Sequence, residues 1–122
     1  MKKVIAIVML FVGIQFSANA QDVKTVSFEQ TKGEFTQKSL TLSEGTYVFE
    51  VTNNNAAPEV GLVLIEAGKD GSNAKNHISD AYVSKMVKHG KTESSKAVTL
   101  KKGTYKYFCP FNNTPQYTLV VE

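Results

Sequence analysis

The sequence predicts an all-β fold, a Greek-key β-sandwich carrying one inserted helix. Three observations predict it. Stretches of alternating apolar and polar residues recur through residues 23–122 at the spacing of short strands. Turn chemistry rich in Asn, Gly and Pro separates them, and about seven such strands in one domain suit two packed sheets. A single segment late in the chain has helical periodicity instead, so strands and helices do not alternate as a parallel α/β fold requires.

Residues 1–20 precede the domain. Lys2 and Lys3 form a positive n-region, "VIAIVMLFVGI" from Val4 to Ile14 is an apolar stretch too short to span a bilayer, and "ANA" at Ala18–Ala20 is a small-residue cleavage site. The expectation is a signal peptide over 1–20, cut before Gln21, and one domain over 21–122. This gives a periplasmic or secreted protein with no membrane span after cleavage. The residue directly after the cleavage site is Gln21 and not a cysteine, so a lipoprotein anchor is not expected.

The strands follow in order. "VKTVSFE" (23–29) and "SLTLS" (39–43) alternate. "GTYVFEVTNNN" (45–55) sets Tyr47, Phe49 and Val51 on one face and Val48, Glu50 and Thr52 on the other, then turns on three asparagines. "VGLVLIE" (60–66) is nearly all apolar, as for a strand buried on both faces or facing a helix, and is expected to be central. "KAVTLKKGTYKYFC" (96–109) reads as a hairpin turning at Lys101–Gly103, with 104–109 central, and "QYTLVVE" (116–122) is the final strand. No repeat, low-complexity run or linker is evident.

The exception is "SNAKNHISDAYVSKMVKHG" (72–90). Ala74, Ile78, Tyr82 and Met86 stand at steps of four with Ala81 beside them, one apolar helical stripe. Ser72 or Asn73 caps its start and Gly90 its end, which predicts a helix over 74–88.

Composition excludes several functions. Without Lys2 and Lys3 the formal charge falls from +3 to +1, too weak a balance for a nucleic-acid or anionic-membrane partner. Every basic residue is lysine, so the bidentate fork of arginine is absent. Cys109 is the only cysteine, which rules out an internal disulfide. It is then a buried thiol closing the end of a strand, a metal ligand, or a redox or nucleophilic thiol. It shares a strand face with Tyr105 and Tyr107. The loop that follows, with Pro110 and Pro115, has the character of a metal-ligand loop. However, the position a few residues on, where a histidine partner is usual, holds Asn112.

The stretches "EGTYVFEVTNNNAAPEVGLVLI" and "VTLKKGTYKYFCPFNNTPQYTLVVE" resemble the cupredoxins, the small blue-copper proteins. Gly103, Tyr105, Tyr107 and Cys109 match the family's Gly-x-Tyr-x-Tyr-x-Cys strand. The resemblance covers most of 38–122 and implies a cupredoxin-like Greek-key sandwich, with the segment around 73–88 at the site of the family's variable insertion. It also implies where copper ligands fall. The family's cysteine is matched by Cys109 and its second histidine by Asn112. Its weak axial methionine falls at or beside Tyr117, and its first histidine near Glu59 or Val60. Copper is the cofactor so implied, on Cys109, Asn112, Glu59 and Tyr117, and no other cofactor is expected. Three of the four family ligands are missing. A type 1 site needs one thiolate and two imidazoles in a near-trigonal plane with a long axial contact. Cys109 with Asn112 makes a poor Cu(II) site. The soft thiolate suits Cu(I), but a tight Cu(I) site wants a second thiolate, a thioether or an imidazole.

His77 and His89 are too far apart in sequence for a helical two-histidine site, and each reads as a solvated helix residue, His89 complementing the helix dipole beside Gly90. Met86 reads as a core residue of the stripe. The tertiary alternative has the insertion fold over Cys109 and bring Met86 or His89 to it. Glu59, after Pro58, is a solvated carboxylate or an oxygen ligand in the histidine's place. "NNT" at 112–114 has the form of a glycosylation sequon, and Asn112, Asn113 and Pro115 read otherwise as turn chemistry. No base stands near the thiol in sequence and no nucleophile or phosphate motif is present, so no enzyme activity is expected. The expected function is an exported binding or accessory module of the bacterial cell envelope without a standard type 1 copper site. The alternative is a copper carrier or electron-transfer protein built on Cys109. Its partner is an unidentified envelope protein or a copper ion.

Overall fold

The computed structural model describes residues 22–122; the expected signal peptide lies outside the described residues. Among the described residues ten strands are formed: β1 Val23–Thr31, β2 Glu34–Phe35, β3 Ser39–Leu42, β4 Gly45–Asn53, β5 Glu59–Val60, β6 Val63–Glu66, β7 Val87–Lys88, β8 Thr92–Leu100, β9 Gly103–Phe108 and β10 Tyr117–Val121. One sheet runs β2-β1-β4-β8, the other β3-β10-β9-β6, and β5 pairs with β7 as a small ribbon. The chain crosses repeatedly between the sheets, which makes a Greek-key sandwich. β1 runs parallel to β4, from Val23↔Thr46 to Gln30↔Asn53, and β3 runs parallel to β10.

Alternation explains the two sheets. Val26, Phe28 and Gln30 of β1 point inward, as do Tyr47, Phe49, Val51 and Asn53 of β4. Between the sheets Phe28, Phe35, Phe49, Tyr107 and Tyr117 form one aromatic cluster, with Phe28 and Tyr107 ring centres 4.7 Å apart. Tyr107 is fully buried, and its hydroxyl donates to the Gln37 carbonyl at 2.6 Å. A bulge between Val48 and Glu50 interrupts the β4–β8 ladder, and the Phe49 N–H donates instead to Ser95 Oγ at 2.9 Å.

Two sheet-to-sheet corners are built alike. Tyr47 donates from its hydroxyl to the Ser43 carbonyl at 2.7 Å, and Tyr105 to the Lys101 carbonyl at 2.8 Å. The corners share a sequence, Thr-Leu-x-x-Gly-Thr-Tyr, over Thr41–Tyr47 and Thr99–Tyr105. This short internal repeat corrects the expectation of none. The corners also touch: the Lys102 N–H donates to Glu44 at 2.9 Å, and Thr46 and Thr99 share a hydroxyl contact at 3.1 Å. The predicted 96–109 hairpin is therefore corrected. β8 and β9 lie in different sheets, and 101–102 is a corner between them.

The run 60–66 is split. β5 and β6 are separate strands, and β6 is an edge, whereas β9 is interior as predicted. Val60, Gly61, Leu62, Val63, Leu64 and Ile65 are nonetheless all buried, because the 72–86 segment covers the edge.

That segment overturns the predicted helix over 74–88. It forms two single 3₁₀ turns, Ala74–Asn76 and Ser79–Ala81, and then β7. Asn73 caps only the Lys75 N–H. Beyond these turns its backbone bonds outward to both sheets. His77 bridges Ile65, the Ile78 N–H reaches the Leu64 carbonyl at 2.9 Å, Val83 bridges Ser95, and the Ser84 N–H reaches the Ser94 carbonyl at 2.9 Å. Ser, Asn and Asp through this stretch favour such local bonding over a helix. The residues fully buried here are Ala81 and Val87, neither of them in the predicted stripe of four, while Tyr82 of that stripe is 40% exposed.

Candidate metal centre

Cys109 follows the last residue of β9. Strand alternation turns it inward with Tyr105 and Tyr107, and it is buried in the core cluster. Its Sγ accepts a hydrogen bond from the Gly61 N–H at 3.3 Å, and its own N–H donates to Thr114 Oγ1 at 3.0 Å. The β5–β6 junction and the 110–116 loop thus meet at the thiol.

Asn112 is also buried, but its amide turns to β1 and the β1–β2 turn. Its Oδ1 accepts from the Gly33 N–H at 2.8 Å, and its Nδ2 donates to Gln30 Oε1 at 3.1 Å and to the Thr31 carbonyl at 2.8 Å. Gln30, fully buried, donates onward from Nε2 to the Gly61 carbonyl at 2.7 Å. Gly61 is therefore held at both ends of its peptide units, by Cys109 and by Gln30. Gly33, at φ +78°, supplies the left-handed turn that aims its N–H at Asn112. Because Asn112 is buried and its amide fully engaged, the sequon at 112–114 is not open to a glycan.

The other expected positions are dispersed. Glu59 is exposed and stands opposite Lys88 in the β5–β7 ribbon, while Val60 is fully buried and has no side-chain donor atom. The Tyr117 hydroxyl accepts from the Phe35 N–H at 3.3 Å, its ring packs 5.5 Å from that of Tyr107, and Lys38 lies over its face. His77 is held on both nitrogens, by Tyr82 Oη at 2.6 Å and the Gly71 carbonyl at 2.7 Å. His89 is exposed beside β7. Met86 does come over the site's edge: a β-carbon on Gly61 would lie 3.2 Å from its methyl and 3.9 Å from its sulfur.

These residues do not fit a type 1 copper ion. The carboxamide at the second histidine's position has spent its oxygen on a backbone N–H, the axial position carries a hydroxyl already bonded, and Val60 cannot ligate. Among the described residues no three of His, Cys, Asp and Glu converge to hold a metal. Sequence reasoning missed Gln30 and Asn53. Each was visible as a polar residue in the inward register of an otherwise apolar strand face. Asn53 pins the following turn and β7, donating to the Ala57 and Val87 carbonyls at 2.8 and 2.9 Å and accepting from the Ala56 N–H at 2.9 Å.

The chain belongs to the cupredoxin-like domain family, whose model matches residues 3–121. Among solved structures it is similar to auracyanin A, a "blue" copper protein from Chloroflexus aurantiacus (17% identity, 83% of this chain and 100% of that one, TM-score 0.65). It is also similar to the auracyanin of Roseiflexus castenholzii (17% identity, 81% and 97%, TM-score 0.62). An azurin from the methylotroph Methylomonas sp. strain J is comparable (18% identity, 81% and 98%, TM-score 0.58). At these identities the likeness is one of fold. No curated protein matches the chain. Among the described residues no helix is long and apolar enough to cross a membrane.

Proposed function

We propose that the protein is an exported cupredoxin-like binding or accessory module of the bacterial cell envelope, acting without catalysis and without a standard type 1 copper centre. The observation that carries this reading is the commitment of the Asn112 amide to Gly33, Gln30 and Thr31. That position, which the family resemblance assigns to an imidazole, here ties the 110–116 loop to β1. A fold that in auracyanin A belongs to a "blue" copper protein is thus closed by a polar lock at its candidate centre.

A second reading has one observation in its favour. The Cys109 sulfur abuts Gly61, and the Met86 thioether packs over the same glycine, so two soft donors approach one residue from two elements. That pairing supports a copper carrier using Cu(I) better than a Cu(II) electron carrier. Titration of the protein beginning at Gln21 with Cu(II) and with Cu(I), beside a Cys109→Ala control, separates the readings. The expected result is no intense blue charge-transfer band with Cu(II). A stoichiometric blue species lost in Cys109→Ala overturns the leading reading, and tight Cu(I) binding lost in the same variant favours the second.

A further inference from the structure

The 72–86 segment does more than cover the β6 edge. It stands off Gly61 and Val63 far enough to leave a cavity of about 440 Å³, walled on the other side by Pro110 and Phe111. Its lining is predominantly apolar. Among the described residues only Val23, Tyr82 and Phe111 are large hydrophobics left exposed, and two of these three flank this one cavity, Phe111 at 61% exposure. Exposed aromatic rings concentrated at a concave apolar site mark a recognition surface. The wall groups His77 and Tyr82 bond to each other, and His77 also to Gly71, so they offer a fixed surface.

Charge enters from one side. Lys85 and Met86 line both this cavity and a neighbouring depression of about 310 Å³, whose other walls are Lys88, Lys91 and Glu93. Three lysines and one glutamate line this depression. That carboxylate lies 3.9 Å from Lys85, a long contact that leaves the exposed lysine able to take a second anion. The apolar cavity thus opens onto a cationic rim.

We infer that the cavity between the 77–86 segment and the Cys109 loop binds a small aromatic monoanion, its ring system among Tyr82, Met86 and Phe111 and its acidic group at Lys85. The volume suits a compact ligand of this type. The inference does not rest on copper, since Cys109 does not line the cavity; Met86 is the one residue it shares with the Cu(I) reading.

The test is titration of the protein beginning at Gln21 with 2-naphthoate, followed by amide NMR. Expected are saturable one-to-one binding and shifts concentrated at Gly61, Val63 and Ser84. Phe111→Ala should weaken binding about tenfold and Lys85→Gln about threefold. Both side chains are exposed, so unchanged melting temperatures certify that the variants are folded. The neutral analogue 2-naphthalenemethanol should bind more weakly, by about the Lys85→Gln factor. Equal affinity for the neutral analogue overturns the anion assignment. Absence of saturation, or shifts away from these residues, overturns the site. Concentration-dependent dimerisation abolished by Phe111→Ala overturns the ligand in favour of a second copy of the chain on this face.

Discussion

Asn112 is a buried amide with three partners, and removing it strands all of them. Asn112→Ala leaves the Gly33 N–H, the Gln30 Oε1 and the Thr31 carbonyl without their bonds. An unfolding free-energy loss of about 2–4 kcal/mol is expected in urea titration. A loss below about 0.5 kcal/mol would mean that water replaces the amide and that the lock is dispensable. A second prediction concerns Tyr107, whose hydroxyl is pushed up to about 12, chiefly by burial and then by the neighbouring Tyr117. In the unfolded chain a tyrosine ionises near pH 10, so between about 10 and 12 the folded state holds the proton that the unfolded state has lost. The contribution is therefore complete below pH 10 and declines as pH rises to 12, at about 1.4 kcal/mol per pH unit. Tyr107→Phe should flatten that part of the alkaline stability profile and cost about 1 kcal/mol at neutral pH for the lost bond to Gln37. An unchanged alkaline slope would remove Tyr107 from the account. Cys109 and the inward tyrosines were legible in the sequence because strand alternation fixes their face. The direction of the Asn112 amide was not, because it depends on Gln30 and Gly33, roughly eighty residues earlier in the chain.

At the scale of elements, β1, β3, β4 and β10 follow from alternation because one face of each meets the core. The 72–90 segment fails the same reasoning. Its apolar spacing matches a helix, but its backbone groups find better partners on two sheet edges than on themselves. Amide exchange should show protection at Ile78 and Ser84, whose N–H groups reach β6 and β8. Continuous protection from 78 to 88 would restore the helix. Splitting the apolar run 60–66 was likewise illegible, since burial of both faces hides where one strand stops and the next begins. The turn before the segment depends on Gly71. A β-carbon there would lie 2.8 Å from Gln116 Nε2 and 2.9 Å from the Phe108 ring, while its carbonyl holds His77. Gly71→Ala should therefore destabilise by about 1–3 kcal/mol in thermal or urea unfolding. A neutral substitution would show that Gln116 and the Phe108 ring swing aside.

For the whole molecule, the sandwich and its family were readable from turn spacing and the Gly103–Cys109 strand. Which strands share a sheet was not. The corner at 101–102 has the local chemistry of a hairpin turn, and only packing of the other strands sends β9 across to the second sheet. The export expectation also belongs to this scale. The intact mass of protein recovered from the periplasm or medium should correspond to residues 21–122, and a mature form beginning at Met1 would remove the basis for an envelope role. A formal charge of +1 after that cleavage predicts weak retention on nucleic acid or anionic vesicles at physiological salt.

The two matching corners sit where β4 and β9 begin, and Cys109 and Asn53 lie where those strands end. The molecule therefore has a fastened pole and an adaptable one. At the fastened pole, two tyrosine latches and the Lys102–Glu44 bond join the sheets using only the chain's own backbone and side chains. Nothing there depends on what occupies the opposite pole. Donor atoms around Cys109 can accordingly be exchanged, for imidazoles, for an amide lock or for a ligand cavity, while the strand crossings that define the sandwich stay anchored some six to eight residues away along each strand. The architecture behaves as a chassis whose payload end is interchangeable. A frame built this way keeps its crossings whichever set of donor atoms its other pole carries.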